Sequence, residues 1–93
     1  MNIFILKTMR YLDNPELFAS VEMWENANAA WAVVDNDANY AAYAAVYAAA
    51  KAANYATTAY AAVYAHANYW IDKYFKITKE NKQDYINEVE RLK

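Results

Sequence analysis

The sequence contains no glycine, no cysteine and a single proline, Pro15, in 93 residues. Hairpin turns and phosphate-binding loops both depend on glycine, because only glycine adopts positive φ angles without steric cost. The absence of glycine therefore argues strongly against an all-β fold and against a nucleotide-binding P-loop. Without cysteine, the chain has neither disulfides nor thiolate ligands for a metal.

Long apolar runs are also missing. Residues 38–50 are apolar, but Lys51, Asn54 and Thr57 interrupt the run before the ~20 residues that a transmembrane helix needs. The apolar run at residues 3–6 is too short for the core of a signal peptide. We therefore expect a cytoplasmic protein that makes no membrane contact.

Alanine is the commonest residue, and ten tyrosines supply most of the bulk. Alanine has the best helix propensity, since ordering it costs no side-chain entropy. The length allows one domain, residues 1–93, with a modest core. The formal net charge is only −2, which speaks against nucleic acid as a partner, although residues 13–37 carry six acids and no base.

Hydrophobic periodicity predicts an all-α fold. The expected helices cover about residues 3–12, 15–35, 38–76 and 79–92. They form a small helical bundle in which a long helix rich in alanine and tyrosine packs against an amphipathic N-terminal helix and a short C-terminal helix. Small side chains allow close approach of helices and the three tryptophans add apolar surface, so a homo-oligomer is expected as well.

Two helix starts are predicted from capping residues. In Asn14-Pro15-Glu16, asparagine caps, proline suits the first helical position and glutamate complements the positive end of the helix. Thr78 is expected to cap the last helix. That helix presents an apolar stripe of Tyr85, Ile86, Val89 and Leu92.

The long helix raises a problem of length. A straight helix over 38–76 would be ~58 Å long, whereas a compact domain of this size is only about 30 to 35 Å across. The helix therefore either breaks near 54–58 or is shared among chains. The heptapeptide Ala-Tyr-Ala-Ala-Val-Tyr-Ala occurs at 42–48 and again at 59–65, the second copy following an inserted Thr57-Thr58. Two extra residues rotate a continuous helix by ~200°, so either both faces are buried or the insertion marks a turn.

The two sides of this segment differ in character. One side reads alanine, valine, tyrosine, isoleucine and phenylalanine at positions 42, 46, 49, 53, 56, 60, 64, 67, 71 and 75. The opposite side is aromatic and polar, with Tyr40, Tyr43, Tyr47, Lys51, Asn54, Thr58, Tyr69, Asp72 and Lys76. Tyrosine is enriched at binding hot spots, and it also fills gaps between helices, so both interpretations of this side stay open.

No constellation of residues predicts catalysis. His66 is the only histidine, which excludes a multi-histidine metal site within one chain. Glu22 and Glu25 lie three residues apart, but the Glu-x-x-His pattern of di-iron bundles is absent, and a solvated acidic surface explains them. We expect neither an enzyme nor a cofactor.

The run Ala-Asn-Tyr-Ala-Ala-Tyr-Ala-Ala-Val-Tyr-Ala at 38–48, followed by Trp-Ile-Asp-Lys-Tyr-Phe at 70–75, resembles small helical accessory proteins of bacteriophages that are rich in alanine and tyrosine. Many such proteins inhibit a host defence enzyme or nuclease by binding it. The resemblance covers residues 26–76 at most, is compositional and carries over no functional residue. It implies a cytoplasmic location in a bacterial host.

The first hypothesis is thus a non-enzymatic protein that binds a host protein, as a phage-type inhibitor does. Its acidic segment and tyrosines would meet a basic partner. The candidate partner-binding residues are Glu22, Glu25, Asp35, Asp37, Tyr40, Tyr43, Tyr47, Lys51 and Tyr69. A second hypothesis is an oligomer whose inter-chain pockets, lined by tyrosine and lysine, sequester a nucleotide or another small molecule. A third is a structural or ice-binding bundle.

Overall fold

The computed structural model describes residues 1–54 and 57–93, and the side chains of residues 1–52 and 64–93. This part of the chain contains five α-helices, one short 3-10 turn at Pro15–Leu17 and no strand. The helices are α1 (Ile3–Asp13), α2 (Ser20–Ala32), α3 (Asp37–Asn54), α4 (Thr57–Thr78) and α5 (Lys82–Arg91). The predicted all-α bundle is confirmed.

Helix α1 starts where its sequence provides a cap. The Asn2 side chain accepts hydrogen bonds from the backbone N–H groups of Phe4 and Ile5, at 2.9 and 3.1 Å. Ile5 and Leu12 are buried, so α1 turns an apolar stripe towards the core. The helix predicted over about residues 3–12 is therefore present.

The predicted start of the second helix is wrong. Asn14 accepts a hydrogen bond from the Glu16 N–H at 3.3 Å, but it caps only the 3-10 turn. Phe18 is extended (φ −129°, ψ 132°), and α2 begins at Ser20 without a side-chain cap. The extended residue lets the Phe18 ring pack against the core and under the guanidinium of Arg10, 5.6 Å from the ring centroid. Partial burial of this large apolar ring favours the extended residue over a helix that continues from the Asn14 cap.

The long segment is two helices, because α3 ends at Asn54 and α4 begins at Thr57, within the predicted break. The two helices pack side by side. The Tyr40 ring near the start of α3 contacts the Trp70 ring in the second half of α4, so the helices run in opposite directions. The described chain measures 34 × 29 × 21 Å, which is far too short for an unbroken helix of ~58 Å.

Residues of the predicted stripe lie in the core of the bundle. Ala42, Val46 and Ala49 of α3 are buried in the core cluster, and so are Ala67 and Ile71 of α4. Stripe positions 53, 56 and 60 lie outside the described side chains. The predicted side of α3 and α4 therefore faces the core at the five buried positions.

The repeated heptapeptide faces two ways. Tyr47 of the first copy is 39% exposed, whereas Tyr64, at the same position of the second copy, packs against the core and donates a hydrogen bond to the Leu12 carbonyl. Helix α4 begins at the first of the two inserted threonines. The rest of the second copy lies largely outside the described side chains. The inserted threonines therefore coincide with a new helix start, as the alternative of a turn at the insertion predicts.

The predicted start of the last helix is also wrong. Thr78 ends α4, Lys79 follows with a positive φ of 63°, and Asn81 caps α5 by accepting a hydrogen bond from the Gln83 N–H at 2.9 Å. The Thr78 hydroxyl donates to the Tyr74 carbonyl at 3.0 Å and accepts from the Glu80 N–H at 3.2 Å, which lies before α5 begins. The left-handed conformation of Lys79 ends α4, and the next helix then starts from the cap at Asn81.

Helix α5 packs on α1 with half of its predicted stripe. Tyr85 and Val89 are buried, while Ile86 and Leu92 remain exposed. In the part of the chain that the structure describes, no helix is both long and apolar enough to cross a membrane.

Candidate ligand-binding face

Aromatic rings from α2, α3 and α4 meet on one side of the molecule. We call this surface the aromatic face. Its members are Trp24, Trp31, Tyr40, Tyr43, Tyr47, His66, Tyr69 and Trp70. The tyrosines of α3 recur at spacings of three and four, which aligns them along one side of that helix.

The rings contact one another across the helices. Trp24 of α2 meets Tyr47 of α3 edge-on at 5.4 Å between centroids, and Trp31 meets Tyr43 at 5.0 Å. Tyr40 meets Trp70 of α4 edge-on at 5.7 Å. Pairs of this kind contribute about 0.5–1.5 kcal/mol beyond burial of their area. The face is therefore held in one arrangement by its own contacts.

A groove of about 370 Å³ runs between α3 and α4 within this face. Its walls are the rings of Tyr40, Tyr43, Tyr47, His66 and Trp70. Between the taller side chains of α3 lie Ala44 and Ala48, which also line the groove. Because alanine ends at Cβ, these two positions leave open space that any larger side chain would fill.

Of the described residues that line the groove, one is charged: Lys51, whose ammonium lies 5.5 Å from the Tyr47 ring centroid. Lys73 lies 5.4 Å from the centroid of Trp70. Neither lysine forms an ion pair with a residue in the described part of the chain. The cations are thus held beside the rings by cation–π attraction rather than by carboxylates.

The predicted acidic residues lie outside this groove. Glu22 and Glu25 are exposed on α2, Asp35 precedes α3, and Asp37 is in the first turn of α3. The Asp35 carboxylate accepts a hydrogen bond from the Asn39 side chain at 2.5 Å. The structure therefore brings Tyr40, Tyr43, Tyr47 and Lys51 together in one groove. The four predicted acids do not line this groove.

Tyr69 is the remaining predicted site residue. Its ring is 56% exposed and meets Trp70 edge-on at 5.3 Å, while the Lys73 ammonium lies 5.9 Å from its centroid. Tyr69 is thus next to the groove without lining it. It extends the aromatic face along α4.

Sequence reasoning missed several residues of this face. His66 is not among the predicted binding residues, yet its ring lines the groove and is stacked on Trp70 with an interplanar angle of 21°. Trp70 and the alanines at 44 and 48 were not singled out either. The i, i+4 spacing of His66 and Trp70 is a usable signal, but only the pairing of α3 with α4 places these residues opposite the tyrosines.

A second, apolar cavity of about 400 Å³ lies between the C-terminal ends of α1 and α5. Leu17, Val89 and Leu92 line it, together with Arg10 and Lys93. The Lys93 ammonium is already paired with Asp13 at 3.2 Å and with Glu90 at 2.8 Å. Asp13 also lines this cavity, so its lining carries an acid beside Arg10 and Lys93, unlike the described lining of the groove.

A polar network near the other end of α5 joins three parts of the chain. The Glu80 carboxylate accepts hydrogen bonds from the hydroxyls of Tyr74 and Tyr85, and the Tyr85 hydroxyl accepts one from the Asn2 N–H at 2.7 Å. Burial raises the pKa of both phenols above the ordinary value, and their bonds to Glu80 raise it further. Both phenols therefore stay protonated and serve as donors.

Within the described residues, no three side chains of histidine, aspartate or glutamate are grouped closely enough to hold a metal ion. No family model, curated protein or solved structure matches this chain.

Proposed function

We propose that this chain is a non-enzymatic binding protein that acts by direct contact with a host protein, as a phage-type inhibitor would. The observation that supports this function is an exposed aromatic residue beside acidic ones. Trp31 is 58% exposed at the end of α2, and Asp35 and Asp37 follow it before and within the first turn of α3.

The chemistry of this corner suits a basic partner. Tryptophan and tyrosine are enriched at binding hot spots because they bury a large area with few rotatable bonds. Carboxylates around them steer a positively charged partner and raise its association rate. An arginine of the partner would stack on Trp31 and pair with Asp35 or Asp37.

The test is capture of a protein from a bacterial lysate by the tagged full chain. We expect a retained protein to be lost with Trp31→Ala, and to associate more slowly with Asp35→Asn combined with Asp37→Asn. Ile86→Ala is the matched control, since Ile86 is also an exposed apolar residue but lies on α5. The proposal fails if nothing is retained, or if retention is lost only when buried residues are changed.

Nucleotide sequestration is a second candidate function. It is favoured by Lys51 and Lys73, which flank the rings without acidic partners in the described part of the chain. The expectation from sequence was a pocket between chains, whereas the groove between α3 and α4 belongs to one chain. The third hypothesis, a structural or ice-binding bundle, is not favoured by the sequence, because Thr57 and Thr58 are adjacent and no threonine recurs at a spacing of 11 residues.

Homo-oligomer formation remains part of the proposal. Ile3, Val21 and Val33 are each more than half exposed, and self-association would cover apolar surface of this kind. Sedimentation at micromolar concentration tests it, and a monomer at every concentration would contradict it.

A further inference from the structure

We propose that the groove between α3 and α4 binds a nucleoside phosphate, with the base against the aromatic walls and the phosphate on Lys51. This inference deepens the second candidate function and does not depend on the host-protein partner. Three features of the groove support it, namely its shape, its charge and its unused hydrogen-bonding groups.

The first argument is shape. The groove measures about 370 Å³, near the lower end of the roughly 300–1,000 Å³ that small-molecule sites span. Rings of Tyr40, Tyr43 and Trp70 stand around an alanine floor, and aromatic walls of this kind accept a flat ring. Stacking of a base on such rings strengthens binding by roughly tenfold or more. The volume suits a single nucleotide rather than a strand.

The second argument is charge. Among the described residues, Lys51 is the only charged one that lines the groove, and no carboxylate is among them. Lys51 is also the only basic residue between Arg10 and Lys73 in the sequence, in a chain whose net charge is −2. A cation beside a wall of rings, and without an acidic partner in the described chain, favours an anion that also carries a flat ring.

The third argument is unused hydrogen-bonding capacity. The hydroxyls of Tyr40, Tyr43 and Tyr47 form no hydrogen bond with another group in the described part of the chain. Each hydroxyl can both donate and accept. Sugar hydroxyls and the polar edge of a base need such groups, whereas a plain hydrocarbon ring does not.

The test is isothermal titration calorimetry of the full chain with AMP, UMP, adenosine and inorganic pyrophosphate. We expect AMP or UMP to bind. Adenosine, which lacks the phosphate, and pyrophosphate, which lacks the base, should each bind about tenfold more weakly or worse. Lys51→Gln should weaken AMP about tenfold and leave adenosine unchanged. Ala44→Leu should fill the groove and abolish binding of AMP.

Lys76→Gln is the matched control, because it removes one exposed lysine of α4 that does not line the groove, and it should bind AMP as the parent chain does. Circular dichroism of each variant confirms that its helices are intact. The proposal is overturned if the folded parent chain binds neither AMP nor UMP at millimolar concentration. It is overturned equally if Lys51→Gln or Ala44→Leu binds AMP like the control.

Failure of this site and failure of the host-protein proposal are separable. Asp35 and Asp37 do not line the groove, so their variants report on the protein partner alone, whereas Trp31 contacts Tyr43 of the groove wall. A chain that captures a protein through Trp31 but ignores AMP contradicts only the nucleotide site.

Discussion

Lys79 has a left-handed backbone conformation, with a φ of 63°, directly after α4 ends. A residue with a Cβ pays about 1 kcal/mol for this conformation, whereas glycine does not. The chain has no glycine to use here. Other interactions therefore offset the steric cost of this conformation. One of them is the hydrogen bond that the Lys79 N–H donates to the Phe75 carbonyl, at 2.9 Å.

Lys79→Gly should stabilise the protein by about 0.5–1 kcal/mol, since the positive φ no longer carries a steric cost. The free energy of unfolding in urea measures the change. Lys76→Gly is the control and should have the opposite effect. Lys76 is an exposed residue within α4, and glycine at such a helical position lowers stability by about 1 kcal/mol. Equal effects of the two changes would contradict the prediction.

The buried phenols of Tyr74 and Tyr85 should make the stability of the protein depend on pH in the alkaline range. Their pKa values are raised in the folded state by burial and by Glu80, so folding favours the protonated form. Their contribution to stability is complete below the unfolded pKa near 10 and is lost as the pH rises above it. Urea unfolding should therefore give a lower free energy of unfolding at pH 11 than at pH 9.

The control is the double variant Tyr74→Phe with Tyr85→Phe. It loses hydrogen bonds to Glu80 and, at Tyr85, the bond from Asn2, so it should be less stable by about 1–3 kcal/mol at pH 8. Because neither position can ionise, its stability should fall less between pH 9 and pH 11. A parallel loss in both proteins would show that other groups cause it.

At the scale of elements, the alanines of α3 lie in two different environments. Ala45 and Ala49 are fully buried, whereas Ala44 is partly exposed and lines the groove. The same residue type therefore serves close packing on one side of α3 and leaves open space on the other.

Ala49→Leu should destabilise the protein by about 1–3 kcal/mol, because the larger side chain forces the packed helices apart. Ala44→Leu should change stability by less than about 0.5 kcal/mol, since the groove accepts the side chain and leucine is a good helix former. Thermal unfolding of the two variants gives the comparison. If Ala44→Leu were the more damaging change, the assignment of the two sides of α3 would be wrong.

At the scale of the whole molecule, stability comes from the core rather than from the ion pairs. Ile71 of α4 is buried among side chains of the core cluster. The ion pairs, such as Lys93 with Asp13 and Lys82 with Asp72, join exposed side chains. Exposed pairs contribute little because water and salt screen them.

Ile71→Ala should therefore cost about 2–5 kcal/mol, the range for removing a buried aliphatic side chain. Asp13→Asn should leave the urea midpoint almost unchanged at 0.15 M salt. Both variants are measured by urea unfolding at pH 7. A large effect of Asp13→Asn would mean that the contact between the ends of α1 and α5 stabilises the fold more than its exposure indicates.

Much of this fold was predictable because it follows from local periodicity. Ala42, Val46, Ala49, Ala67 and Ile71 share one side of their helices by spacing alone, and all five are buried. The helix starts were less predictable. Asn14 and Thr78 have the chemistry of helix caps, but burial of Phe18 and the left-handed turn at Lys79 moved the starts to Ser20 and Lys82.

The candidate site was predictable only in its α3 half. Tyr40, Tyr43, Tyr47 and Lys51 lie on one side of a single helix, which spacing reveals. His66 and Trp70 face them only because α4 turns back along α3, and no local pattern states how two helices are aligned.

The sequence by itself determined that this chain is helical, where its long segment would break if it does not continue into a partner, and which side of α3 is aromatic. These properties depend on helix propensity, segment length and a period of 3.6 residues. Only the tertiary structure decided that the segment breaks, that a groove exists, that His66 and Trp70 close it and that Lys51 is the one charged residue among its described lining residues. Those properties arise from contacts between residues far apart in the chain.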